Sequence, residues 1–411
     1  MKECFNTLDK LASEFSYRNI YSIMTEYGDK IAAEYDDESG IKKRTYREYD
    51  IMIRGGAAAL AAQMGNLEKS YIGIKLDNNP DWPAVFWSVM MAGYKPLLLD
   101  YRGDAAITLH LLDTAGAVAI ITDDKAEYPG YDKITPTSLL GKKLDEGFSP
   151  DWADEVALCT SGTTGTARVF VYNGDAMGHQ MDNARYFLKD NGDIMYDTSD
   201  GECKNLAFLP LHHIFGFVAV YMWYSFFGKT IVYLKDKSPK TIMDTCRRHE
   251  VTHIFCVPMF WNNVTQGIMR KVAQGGERQE RMFRRISRIS YSTQSHAKRK
   301  GRRVMGASVF RSIQESLVGG SVRFMINGGG HILPDTLKTI NTIGYPLYNG
   351  FGMTEAGITS VEFSYDICQR VKGSVGKPFE SVKYKISDEG ELLTSGKSLY
   401  SGQMVAGEYV P

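Results

Sequence analysis

The sequence predicts an α/β protein in which two helix-flanked, mostly parallel β-sheet subdomains are followed by a small antiparallel β subdomain. Three observations predict it. Helix-like and strand-like segments alternate from Thr45 to Thr122 and again from Asp154 to about Ser360. Several apolar, strand-like runs end in a polar or glycine-rich loop. After Gly373 the texture shifts to short alternating runs such as "VKYKI" and "GELLT" separated by turns. The expected units are residues 1–150, residues 151–360 and residues 361–411.

The elements follow in order. Thr45 with Glu48 three residues on forms a capping box before the helical run Tyr49, Met52, Ile53, Leu60. "YIGIKL" places Ile72, Ile74 and Leu76 on one face of a strand. Asp81 and Pro83 open a helix that Gly93 closes, and "PLLLD" and "VAIIT" read as short buried strands. In the second unit, strands are expected at Val156 to Cys159, Leu206 to Leu209, Thr230 to Leu234, His253 to Val257 and Val322 to Ile326. Loops beyond the carboxyl ends of such strands are where α/β folds bind ligands.

Composition narrows the function classes. Hydrophobic residues make up 43% and charged residues 23%, as in globular enzymes. Lys plus Arg and Asp plus Glu both number 48, so no global field draws the chain to nucleic acid, and no nucleic-acid-binding motif occurs. Six cysteines without a C-x-x-C pair argue against a disulfide framework or cysteine zinc site and fit a reducing cytoplasm. The longest apolar stretch, Ile214 to Phe227, falls short of the roughly 20 residues that span a bilayer and reads as a buried helix.

Two features resemble sites without supporting one. "HEVTH" at His249 to His253 has the letters of a zinc-protease motif. It runs into the strand pattern "IFCVP", so its histidines straddle a helix-to-strand turn. Between Arg270 and Arg303 twelve Lys or Arg face two Glu, with Met282, Phe283, Ile286 and Ile289 at helical spacing. A solvated helix covering the body is the favoured reading. Peripheral membrane contact through segment 270–303 is the other.

The chemistry concentrates in a few loops. "EVALC" runs into "TSGTTGTAR", where Gly162 and Gly165 permit tight turns, Ser161, Thr163 and Thr164 offer hydroxyls, and Arg168 supplies a fixed positive charge. That combination suits polyphosphate, although its spacing is not that of a Walker loop. The run resembles the phosphate loop T-S-G-[ST]-T-G-x-P-K-G of the adenylate-forming superfamily of acyl-CoA synthetases, luciferases and peptide-synthetase adenylation domains. Ala167, Arg168 and Val169 stand where that family usually has Pro, Lys and Gly. Arg168 keeps the charge.

The resemblance covers nearly the whole chain. "LPLHHIFGF" is similar to the family's P-x-x-H-x-x-G segment with Pro210, His213 and Gly216 in place. "YNGFGMTEAG" is similar to Q-G-Y-G-x-T-E-x-G, and "INGGGHILPD" stands where the family has S-G-G-A-P-L. The resemblance implies that Thr160, Ser161, Gly162, Thr163, Thr164, Gly165 and Arg168 grip the phosphates of ATP or AMP. Gly328, Gly329, Gly330, Asn349, Gly350, Phe351, Gly352 and Thr354 would surround the nucleotide, with Phe351 against adenine. Glu355, with Thr163, would hold Mg2+. Thr163, Arg168, His213, Thr354 and Glu355 would form the catalytic set.

The activity so implied is ATP-dependent conversion of a carboxylic acid, expected to be fatty or otherwise hydrophobic, to an acyl-adenylate, with transfer to coenzyme A. The alternatives are loading of an amino or aryl acid onto a carrier protein, and a nucleotide- or acyl-binding module without turnover. No T-G-D segment occurs before the chain stops at "GEYVP". The family's mobile C-terminal domain is therefore expected to be absent here, and weak binding with little complete turnover follows as an expectation.

Overall fold

The computed structural model describes residues 1–65, 67–142, 147–160, 167–195 and 202–411. Two eight-stranded sheets dominate it. The first runs Gly357–Val361, Leu347–Met353, Phe324–Asn327, His253–Cys256, Lys204–Leu206, Thr230–Val232, Ile31–Asp37, Gly40–Thr45. Its interior pairings are parallel, and only the outermost pair at each edge is antiparallel. The second runs Glu408–Val410, Gly402–Val405, Val169–Asn173, Glu155–Cys159, Lys95–Leu98, Tyr71–Lys75, Ala117–Thr122, Asp132–Ile134. Its last five strands are parallel, and the first four pair antiparallel. Val382–Ile386 and Leu392–Gly396 form the small antiparallel sheet near the C-terminus.

Local chemistry sets the element boundaries. Helix Tyr46–Met64 starts on the expected capping box: Glu48 N donates to Thr45 Oγ1 at 3.1 Å, and Thr45 N donates to the Glu48 carboxylate at 2.6 Å. Helix Trp82–Met91 is buried at all ten positions, which explains why its sequence shows no polar face. The turn after it needs Gly93, whose φ is +84° and where a Cβ would lie 2.6 Å from the Asp151 carbonyl oxygen.

Several segments depart from the expectations. The strand expected at Leu206 to Leu209 is Lys204–Leu206, and hairpin Ile31–Thr45 and strand Val169–Asn173 were not foreseen. The sheets also cross the expected divisions. Strand Ile31–Asp37 pairs with Thr230–Val232, while Glu155–Cys159 and Gly402–Val405 belong with the strands of the first 150 residues. The buried helix at Ile214 to Phe227 is a π-helix, Phe215–Met222, continued by α-helix Trp223–Phe226. "HEVTH" does straddle a turn. His249 ends helix Pro239–Arg248, Glu250 has φ +53°, and His253 opens a strand. His249 is buried against Glu34 and Asp36, and His253 Nε2 lies 2.9 Å from the Asp193 carbonyl oxygen.

The largest core cluster joins the two sheets. Trp82–Met91 packs on the π-helix, with the Trp82 and Phe217 rings 6.3 Å apart and Trp87 Nε1 donating to Tyr221 Oη at 2.7 Å. This wedge carries the π-helix to the carboxyl ends of the first sheet's parallel strands.

Candidate active site

A cavity of about 730 Å³ opens where those strand ends meet the hairpin of Glu155–Cys159 and Val169–Asn173. Its mouth is polar, lined by Thr160, Arg168, Thr354 and Glu355. Its depth is apolar, lined by Ala219, Trp223, Ile326, Ile358 and Val361. Among the described lining residues Arg168 is the one arginine or lysine and Glu355 the one carboxylate.

The neck of the phosphate loop is closed by two hydrogen bonds. Thr160 N donates to the Arg168 carbonyl at 3.0 Å, and Arg168 N donates to Thr160 Oγ1 at 3.0 Å. Arg168 itself is exposed. The predicted contacts of Ser161, Gly162, Thr163, Thr164 and Gly165 lie outside the described residues.

His213 reaches the cavity from a segment that folds back on itself. A Cβ on Gly216 would lie 2.0 Å from the Pro210 carbonyl oxygen, so the turn admits only glycine. Asn78 anchors this segment from the other sheet. Its Nδ2 donates to the Ala207 and Leu209 carbonyls at 2.9 and 2.7 Å, and its Oδ1 accepts from Leu211 N at 2.9 Å. Sequence reasoning passed over Asn78 because its partners lie about 130 residues away. Its only local signal is a polar residue just beyond the apolar strand "YIGIKL".

Burial, reinforced by Lys237 and opposed by Asp100, holds the His213 imidazole below its ordinary pKa. His212 packs on it, ring centroids 4.3 Å apart, with Nε2 3.5 Å from an Asp100 carboxylate oxygen. Burial and the neighbouring His213 push His212 down to about 3. Both rings are therefore neutral near pH 7.

The glycine segment leaves bare backbone beside the cavity. A Cβ on Gly328 would sit 2.6 Å from the Phe215 ring, and Gly329 has φ +73°. Gly330 is exposed next to Pro258 and does not line the cavity. Asn349 does not line it either. Its amide donates to the Gly373 carbonyl at 3.2 Å and its Oδ1 accepts from Asn327 Nδ2 at 2.8 Å, so it braces two strands that carry lining residues.

Gly350, Phe351, Gly352, Thr354 and Glu355 all line the cavity. The Phe351 ring stands edge-on to Tyr384, centroids 6.4 Å apart, and is half-buried. Tyr172 Oη, from the other sheet, donates to the Thr354 carbonyl at 2.8 Å and fixes the turn that presents Thr354 and Glu355. Among the described residues no group of three His, Cys, Asp or Glu could hold a metal alone. A lone carboxylate beside a cation and hydroxyls fits a magnesium ion that arrives with phosphate oxygens and keeps several waters.

A family profile described as AMP-binding enzyme matches residues 22–410. The chain is 26% identical over 281 residues to long-chain-fatty-acid–CoA ligase 2 of Schizosaccharomyces pombe, covering 65% of this chain and 39% of that one. It is 22% identical over 372 residues to 2-succinylbenzoate–CoA ligase of Bacillus subtilis, covering 89% of this chain and 64% of the relative. Its fold matches the structure of o-succinylbenzoate coenzyme A synthetase from Bacillus subtilis in complex with ATP and magnesium ion. That match has a TM-score of 0.68 and 19% identity, and covers 94% of this chain and 72% of the other. The chain thus spans about two fifths of the length of the yeast ligase. With a match from residue 22 to residue 410, the chain belongs to the AMP-binding enzymes, the adenylate-forming superfamily.

Proposed function

We propose that this chain is the ATP- and acid-binding part of an AMP-forming acid:coenzyme A ligase for a hydrophobic carboxylic acid. In this reaction the carboxylate oxygen attacks the α-phosphorus of ATP, pyrophosphate leaves, and the coenzyme A thiol then displaces AMP from the acyl carbon. One observation carries the reading: a single cavity joins a polar mouth holding Arg168, Thr354 and Glu355 to an apolar depth that Trp223 lines.

Such chemistry needs positioning and charge neutralisation more than a nucleophilic side chain. Arg168 would meet phosphate with a planar fork, Thr354 would donate to a phosphate oxygen, and Phe351 would offer a face to adenine. Glu355, with Thr163, would hold magnesium, which supplies neutralisation of phosphate charge when bound. Neutral His213 can donate one ring N–H near the reacting carboxylate without adding charge. Carrier-protein loading of an amino acid is disfavoured because no carboxylate besides Glu355 lines the cavity among the described residues.

The test is ATP–pyrophosphate exchange by the longest reading frame containing this chain, across fatty, aryl and amino acids, with and without coenzyme A. Exchange is expected with hydrophobic acids, followed by coenzyme A-dependent release of AMP. Absence of exchange with every acid would leave only a binding module.

The same reading extends to place and partner. No helix among the described residues is long and apolar enough to cross a membrane. The six cysteines are free, which supports a reducing, cytoplasmic setting. Helix Gly276–Val304 turns Phe283 and Ile286 toward the second core cluster. Its outward side carries exposed Arg278, Arg281, Arg285 and Arg288 around Met282 and Ile289, which are 56% and 51% exposed. That stripe supports peripheral contact with an anionic lipid surface.

A further inference from the structure

Arg302, Arg303, Arg311 and Arg323 line a second crevice of about 560 Å³ that plays no part in the proposed reaction. It lies at the amino ends of strands Phe324–Asn327 and Leu347–Met353, whose carboxyl ends lead into Gly328 and Gly350 of the first cavity. A four-residue strand spans about 13 Å, so the two openings sit at opposite ends of the sheet.

The crevice has a glycine floor and guanidinium walls. Gly306, Gly320 and Gly344 line it. A Cβ on Gly344 would fall 2.6 Å from Gly306 Cα, and one on Gly306 would fall 2.9 Å from Gln314 Nε2. Larger residues would thus displace the walls.

Charge there is unbalanced. Leaving Arg323 aside, three arginines face one carboxylate, Glu315, in the described lining. Arg311 uses Nε to bind it at 2.7 Å, which leaves its two terminal nitrogens for another acceptor. Arg302 is buried and held by Asp193 Oδ2 at 3.2 Å and Tyr348 Oη at 3.4 Å, and Asp193 also serves Arg299. Arg303 is exposed, without an ion pair or side-chain hydrogen bond among the described residues. Guanidiniums around one crevice repel one another less when an anion lies between them, and their forked donors match phosphate oxygens.

We propose that this crevice binds an anion bearing two or more phosphate groups, at a site separate from the adenylate cavity. The probe is inorganic tripolyphosphate, titrated calorimetrically into the longest reading frame containing this chain. Because tripolyphosphate also suits the phosphate loop, the titration is run on Arg168→Ala, alone and combined with Arg303→Ala and Arg311→Ala. Arg303 and Arg311 are exposed, and an unchanged thermal melt checks the fold of the combined variant. Arg168→Ala should keep a binding isotherm, and the combined variant should bind at least about tenfold more weakly. Restoring charge with Arg303→Lys and Arg311→Lys should recover part of that loss.

Phosphatidylcholine vesicles with and without phosphatidate identify the source of the phosphate. Sedimentation with phosphatidate vesicles that Arg303→Ala with Arg311→Ala abolishes assigns a lipid headgroup; tripolyphosphate binding with sedimentation unchanged by that pair assigns a soluble anion. The proposal is overturned if Arg168→Ala alone abolishes binding. It is equally overturned if the combined variant binds as tightly as Arg168→Ala.

Discussion

Glu355 and Arg168 bring opposite charges to the mouth of one cavity, and their separate tasks predict separate phenotypes. A carboxylate is a hard oxygen donor suited to magnesium, and the amide of Gln is a weaker, uncharged one. Glu355→Gln should lower acid-dependent exchange by about 100-fold or more while leaving the thermal melt unchanged. Unchanged exchange would remove Glu355 from the metal site. His213, Gly328, Phe351 and Thr354 could be found in the sequence because a loop motif keeps its spacing whatever the fold around it. Asn78 and Tyr172 could not. They act through hydrogen bonds to backbone that is distant in sequence, at Leu209 and Thr354, and such pairings leave no periodic trace.

Elements were legible where local energetics decide them. The capping box of helix Tyr46–Met64 is fixed by Thr45 and Glu48 alone, and Thr45→Ala should cost about 1 kcal/mol in denaturant unfolding. A loss well below that would mean that burial of Tyr49, Ile53 and Leu60 sets the helix start instead. Strand Val169–Asn173 was hidden because it follows a loop read for its chemistry, and Ile31–Asp37 because it is half polar and pairs with a strand about 200 residues later. The π-helical winding of Phe215–Met222 was also hidden, since a segment buried on every side shows no period. Helix Gly276–Val304 carries a prediction of its own. Arg285→Glu with Arg288→Glu should abolish sedimentation with anionic vesicles and leave neutral vesicles unaffected. Retained sedimentation would assign lipid contact, if any, to another surface.

Across the whole molecule, the α/β class follows from alternation alone, whereas the composition of each sheet does not. The first sheet takes its edge hairpin from residues before 50, and the second takes strands from both sides of residue 150 and from beyond residue 400. This exchange sets the hairpin carrying Thr160 and Arg168 opposite the strand ends carrying Gly328 and Phe351. Neither sheet contains the cavity alone.

The most direct test is therefore a crystal structure of the longest reading frame bound to a non-hydrolysable analogue of a fatty acyl-adenylate. Its phosphate substitute should lie by Thr354 and Arg168, its adenine against Phe351, and its acyl chain should run toward Ala219 and Trp223. An analogue bound with its acyl chain outside that cavity, or no binding at all, would contradict the account.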